Sequence, residues 1–247
     1  MSGRGAIVTG ASSGIGRAAA IALARRGHSV MGASRARHPA WGPVPTPLPG
    51  ELAWSAVDLA APGAMAELLA ATQARFPGKT SIVVLSAGKG LPGTLLTSSP
   101  DAWRTLLEIN YLALMDQMRT TAQHMLANRE AFPVQDLVVI GSTVGRQISA
   151  ANPVYGSTKF AIHSLVESLR QEVCRDGIRV TLIEPGFVRS GFQAAAGYDA
   201  AWFDAIEAES GPFLTPENVA DVIAFVVEQP PHVHVDDVRL RPTRQRV

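Results

Sequence analysis

At 247 residues the chain can bury one substantial core, and α/β folds of this size commonly remain one domain, so a single domain over 1–247 is expected. With 47% hydrophobic and 17% charged residues it does not have the composition of a disordered chain, and a formal charge of +1 gives no electrostatic case for a nucleic-acid partner. A lone cysteine, Cys174, excludes an internal disulfide and a Cys-rich metal site, which fits a reducing compartment.

Met1 to Arg4 lead straight into the apolar run Ala6-Ile7-Val8, leaving no room for a signal peptide. No apolar stretch approaches the roughly 18 residues of a membrane span, so a cytoplasmic protein with no membrane partner is expected. Runs rich in Val and Ile alternate with Ala- and Leu-rich segments, the pattern of repeated βα units in a parallel sheet covered on both faces. Strands are predicted near 5–9, 29–34, 53–57, 81–87, 136–141, 178–184 and 235–240, and helices near 14–26, 62–75, 101–127, 153–175 and 216–228.

After the first strand, Thr9-Gly10-Ala11-Ser12-Ser13-Gly14-Ile15-Gly16 opens an Ala-rich helix. Glycines there allow a tight turn and close backbone approach, and the helix N-terminus favours a dinucleotide pyrophosphate; an ordinary βα connection is the alternative. The second strand ends in Ala33-Ser34-Arg35, without the acidic residue that commonly binds the ribose diol of NAD. A guanidinium and a hydroxyl suit a 2′-phosphate, so NADP(H) is favoured over NAD(H), against a solvated loop arginine. Residues 38–50 contain five prolines and cannot form a regular helix, so an extended surface connection or a mobile loop replaces the expected crossover helix.

Ser98-Ser99-Pro100 is a helix start and Gly177 a helix stop. Between them, Gly141-Ser142-Thr143 ends a strand, and Tyr155 and Lys159 stand four apart on one helix face. A nearby ammonium favours a phenolate and lowers the tyrosine pKa, although Tyr and Lys four apart are common on surface helices. His163, Cys174 and Met115 on predicted helices are assigned to core or interface packing. His232 and His234 lack further ligands, and no metal site is expected.

In this order the elements resemble the classical, single-domain branch of the short-chain dehydrogenase/reductase family, over nearly the whole chain. The resemblance implies an α/β fold: a Rossmann-type doubly wound parallel sheet of about seven strands with helices on both faces. The family's glycine motif falls on Gly10, Gly14 and Gly16, with Ser12, Ser13 and Ile15 between them; its adenine contact falls on Asp58, followed by Leu59. Ala87 and Gly88 keep the small residues after the fourth strand, Asn110 takes the asparagine of the long central helix, and Ser142, Tyr155 and Lys159 complete the catalytic set. Pro185-Gly186, with Val188 and Ser190, matches the turn beside the nicotinamide, Ser190 standing where threonine is usual.

The implied reaction is hydride transfer that interconverts a small-molecule carbonyl and alcohol, with Tyr155 as general acid or base. Ser142 would hydrogen-bond the carbonyl oxygen, and Lys159 would lower the tyrosine pKa and bind ribose hydroxyls. Asn110 would hold a water linking Lys159 to solvent. The family's habit of associating through helices equivalent to 101–127 and 153–175 implies a homodimer or homotetramer.

Leu85-Ser86 replaces the family's usual pair of asparagines, which is expected to alter cofactor affinity or sheet stability. Residues 187–213 correspond to the substrate lid. Their aromatics, Phe187, Phe192, Tyr198, Trp202, Phe203 and Phe213, and a net charge of −3 suit a neutral, moderately bulky apolar ketone or alcohol, unless the rings only pack the lid onto the domain. A dinucleotide-binding regulatory protein without turnover, and an epimerase or dehydratase on the same scaffold, are the rival functions.

Overall fold

The computed structural model describes residues 3–38, 41–44 and 47–246. Seven strands, β1 (Gly5–Thr9), β2 (Ser29–Ser34), β3 (Glu51–Ala56), β4 (Thr80–Leu85), β5 (Gln135–Ile140), β6 (Ile178–Pro185) and β7 (Asp237–Leu240), form one parallel sheet in the order β3-β2-β1-β4-β5-β6-β7. Successive strand residues face opposite sides of a sheet, and both sides are covered, so the central strands are apolar throughout. Ala6, Val8, Ile82, Val84, Val138 and Ile140 pack with α1 (Gly14–Arg25) and α8 (Pro216–Val227). Ile7, Val83, Leu85, Leu137 and Val139 pack on the other side with α2 (Ala64–Arg75), α4 (Ala113–Ala127) and α5 (Pro153–Val173). The order reverses between β1 and β4, which opens a crevice at the carboxyl ends of the strands, where such folds bind ligands.

Three local features differ from the sequence expectation. The helix predicted over 101–127 is interrupted: α3 (Pro100–Leu107) passes through one π-helical turn, Glu108–Leu112, before α4. That turn carries Asn110. The lid contains two helices, α6 (Phe192–Ala196) and α7 (Ala200–Ser210), the second capped by Asp199 accepting from the Ala201 N–H at 2.8 Å. Third, of the three side chains assigned to core or interface packing only His163 lies in the core, while Cys174 is exposed at the end of α5 and Met115 is partly exposed on α4.

The proline-rich connection is helix-free among its described residues, as its composition requires; Pro39, Ala40, Pro45 and Thr46 lie outside the described residues. Trp41 docks it edge-on against Trp54, ring centroids 5.3 Å apart, and lies over Gly32, where a side chain would collide with the indole. Arg17 of α1 donates from Nε to the Trp41 carbonyl at 2.9 Å. The described part of the connection from β2 to β3 is therefore held by contacts that proline does not prevent.

Candidate active site

A cavity of about 950 Å³ lies over the carboxyl ends of the strands. Gly10, Ser12, Ser13, Gly14, Ile15, Gly16, Ser34, Arg35, Asp58, Leu59, Ala87, Gly88, Pro185, Gly186, Val188 and Ser190 all line it, together with Ser142, Tyr155 and Lys159. Asn110 is the one sequence-predicted site residue that does not.

The floor is built by close backbone approach. Gly10 has φ +67°, and a Cβ there would stand 2.9 Å from the Cα of Ala87, so the turn after β1 rests directly on the turn after β4. Thr9 locks the two together: its Oγ1 accepts from the backbone N–H groups of Ser86 at 3.0 Å and Ala87 at 3.1 Å. Leu85 is buried in the core of the sheet, so the turn is held without the side-chain amides that Leu85-Ser86 replaces. The first amides of α1 face the cavity from Ser13, whose side chain makes no capping hydrogen bond, and no acidic residue occupies the first turn. Such an end favours an anion.

At the β2 end, Ser34 Oγ accepts from the Ala36 N–H at 3.1 Å and Trp54 Nε1 donates to the Ala36 carbonyl at 2.9 Å, which fixes the turn carrying Arg35. Arg35 is exposed. Just after β3, Asp58 closes its own turn by accepting from the Ala60 N–H at 3.2 Å.

Ser142 and Tyr155 are neighbours on the cavity wall, close enough for the serine hydroxyl to act on the phenol. Ser142 sits in extended backbone at the end of β5, and its Oγ accepts from the Val144 N–H at 3.3 Å. One helical turn beyond Tyr155, Lys159 is buried, its Nζ donating to the Ile140 carbonyl at 2.9 Å and lying 5.8 Å from the centre of the tyrosine ring. Burial pushes the Tyr155 phenol above its ordinary value, Tyr198 adds to the effect, and the neighbouring Ser142 hydroxyl opposes it. This direction is opposite to the sequence expectation of a tyrosine lowered by its lysine. Burial dominates at Tyr155, and the Lys159 ammonium is itself pushed down to about 8 by desolvation.

Asn110 is buried behind the cavity wall, where Nδ2 donates to the Lys89 carbonyl at 2.7 Å and Oδ1 accepts from the Lys89 N–H at 2.8 Å. Its carboxamide therefore anchors the backbone beside Gly88.

The lid's aromatics form two groups, and Phe187 and Phe203 of the first border the cavity as the second group does. Phe187, Phe203 and Phe213 pack on one another, with centroids 4.7–6.0 Å apart, and Arg189 lies over two of these rings while pairing with Asp204 at 2.9 Å and with Glu207. Phe192 and the stacked pair Tyr198 and Trp202 face the cavity, Phe192 lying 6.2 Å from the Tyr155 ring. Asn152 and Gln245 are among the lining residues that sequence reasoning did not single out. Asn152 stands three before Tyr155, a spacing that could have revealed it. Gln245, whose Oε1 accepts from the Phe187 N–H at 2.9 Å, comes from the C-terminal tail and gave no local signal.

The model of the family described as short chain dehydrogenase matches residues 4–200. The chain belongs to the classical short-chain dehydrogenase/reductase family. Among the relatives of this oxidoreductase family is bovine (Bos taurus) dehydrogenase/reductase SDR family member 11, 33% identical over 97% of this chain and 96% of the relative. The fold is similar to the closed form of a serine dehydrogenase complexed with NADP+, with TM-score 0.83, 26% identity and coverage of 98% of this chain and 96% of the other. It is also similar to an alcohol dehydrogenase from the archaeon Thermococcus sibiricus complexed with 5-hydroxy-NADP, with TM-score 0.81, 25% identity and coverage of 99% and 98%. Within the described residues, no helix is long and apolar enough to cross a membrane.

Proposed function

We propose that this short-chain dehydrogenase/reductase interconverts a neutral, moderately bulky ketone and its secondary alcohol with NADP(H). The observation that carries this reading is the convergence of Ser142, Tyr155 and Lys159 on the wall of the cavity whose floor is the Gly10–Gly16 turn. The residues present fit a dinucleotide. Gly10 and Gly16 have no space for a Cβ, Gly14 faces Ser190 across the groove, and the α1 amides have no side-chain cap. Ser12, Ser13, Ile15 and Val188 would hold the phosphates and nicotinamide, Asp58 and Leu59 the adenine, and Arg35 with Ser34 a 2′-phosphate. The similar structures that contain NADP+ and 5-hydroxy-NADP support this preference.

When bound, the nicotinamide supplies or accepts hydride. Ser142 donates a hydrogen bond to the substrate oxygen where negative charge develops, and Tyr155 delivers or removes the proton at that oxygen. A phenol held above its ordinary pKa is protonated at neutral pH, which suits the reducing direction. Lys159, buried beneath the tyrosine, supplies positive charge to the developing phenolate. Phe192 and Trp202 present apolar surface to the remainder of a neutral substrate. Residues 187–213 act as the lid of a single domain, and the partly exposed Leu112, Met115 and Phe160 on the central helices support a homodimer or homotetramer.

The test is NADPH consumption against a varied carbonyl panel, with Tyr155→Phe as the control. Carbonyl-dependent consumption that the substitution abolishes is the expected result. Substrate conversion without net NADPH change would point instead to an epimerase or dehydratase, and tight dinucleotide binding without any conversion to a regulatory protein.

A further inference from the structure

Among the rings on the lid side of the cavity lies one pair of polar groups, Asn152 and Tyr198. Tyr198 is fixed from two directions: it stacks on Trp202 with centroids 6.3 Å apart, and it lies so close to Gly90 that a Cβ there would come within 2.9 Å of its ring. The Tyr198 hydroxyl oxygen accepts from Asn152 Nδ2 at 3.2 Å. Its own proton is left for another acceptor. Asn152 immediately precedes α5, three residues before Tyr155; its Nδ2 is used by Tyr198, whereas its Oδ1 is buried and has no hydrogen-bond partner. A buried acceptor left unmatched is unfavourable, and because Asn152 itself lines the cavity, a ligand donor that reaches Oδ1 would satisfy it.

We propose that Asn152 and Tyr198 form a hydroxyl-recognition subsite, and that the preferred substrate is a neutral hydroxy ketone or the corresponding diol. Its carbonyl meets Ser142 and Tyr155, while its second hydroxyl donates to Asn152 Oδ1 and accepts from the Tyr198 hydroxyl. A hydroxyl is suited to this pair because it can do both at once. A carboxylate only accepts and leaves Asn152 Oδ1 unmatched; an ammonium only donates and leaves the Tyr198 proton unmatched. The inference rests on the reductase reading above and refines it, since the aromatic wall takes the apolar remainder of the same molecule.

The experiment measures kcat/KM with NADPH for two trios of aryl ketones. α-Hydroxyacetophenone is compared with propiophenone and α-methoxyacetophenone, and β-hydroxypropiophenone with butyrophenone and β-methoxypropiophenone. The methyl analogues neither donate nor accept, and the methoxy analogues only accept. In at least one trio the hydroxy ketone is expected to exceed both analogues by about tenfold or more, as a matched against an unmatched buried group requires. Asn152→Leu and Tyr198→Phe should each lower that ratio at least about fivefold, which separates recognition from the greater intrinsic reactivity of hydroxy ketones. Tyr198→Phe keeps the stacked ring and carries the test if the change before α5 prevents folding. Equal turnover within both trios, or a ratio unchanged in the variants, overturns the subsite and leaves the reductase reading standing. No turnover of any ketone overturns both.

Discussion

The backbone N–H of Ser142 donates to Nε2 of His163, two helical turns beyond Tyr155 on α5, at 3.4 Å. The imidazole fills the space beside Gly141 and Gly145, where no Cβ would fit, so it fixes the turn carrying Ser142 from both sides. An accepting Nε2 requires a neutral ring with its proton on Nδ1, which faces Glu184 at 3.9 Å. Burial, reinforced by Lys159 and Arg146, holds the His163 pKa down at about 4.

His163 is thereby a positioning residue for Ser142. His163→Leu is expected to lower kcat about tenfold with a smaller change in KM, and His163→Gln, which retains an acceptor, to recover part of it. A second readout is stability against pH. The folded pKa lies below the ordinary 6.5, so the contribution is complete above about 6.5 and declines as pH falls toward about 4, by on the order of 3 kcal/mol. Urea midpoints measured across that range should fall more steeply for the wild type than for His163→Leu; parallel curves would remove His163 from this role.

Lys159 predicts the alkaline limb of the rate profile. Its ammonium, lowered to about 8 by burial, is present below that pH and is lost as pH rises through it, whereas the Tyr155 phenol, raised above its ordinary value, stays protonated. Reductive kcat/KM should decline above about pH 8. Lys159→Arg, which keeps its charge, should be slower throughout and lack that decline up to about pH 10. An unchanged limb in this variant would assign the titration to another group.

Arg35 stands on the turn fixed by Ser34 and Trp54, at the cavity edge, with no carboxylate at the end of β2. A guanidinium paired with a 2′-phosphate should give kcat/KM for NADPH about 10–100-fold above that for NADH. Arg35→Asp should reverse the order, because a carboxylate repels the phosphate and accepts from a ribose diol. A wild-type preference for NADH would exclude this role.

The strands and the glycine turn were legible because their signals are local: buried parallel strands require continuous apolar runs, and a tight turn onto a helix requires glycine. Tyr155 and Lys159 were legible as a spacing, and Ser142 as a strand end. The tyrosine electrostatics were not. Their sign depends on how completely the lid and sheet desolvate the pair, and residue spacing carries no measure of that. Asn110 was found, but its partner was not, because the π-helical turn that directs it to Lys89 leaves no mark on the apolar period. Gln245 reaches Phe187 across 58 positions, a contact that no local pattern specifies.

Thr9 gives the last prediction, and it bears on the replacement of the family's two asparagines by Leu85-Ser86. One hydroxyl oxygen takes the N–H groups of both Ser86 and Ala87, so the crevice between β1 and β4 depends on Thr9. Thr9→Val keeps the volume in the core and removes that acceptor from both amides at once. Because Ser86 and Ala87 are only partly buried, the expected cost is about 1–2 kcal/mol, below that of a fully buried orphan pair. The turn against which Gly10 rests would also loosen, so dinucleotide Kd should rise about tenfold by fluorescence titration. Thr9→Ser, which keeps the hydroxyl, should restore most of both. A Thr9→Val protein with wild-type Tm and Kd would mean that backbone contact at Gly10 alone holds the two turns together.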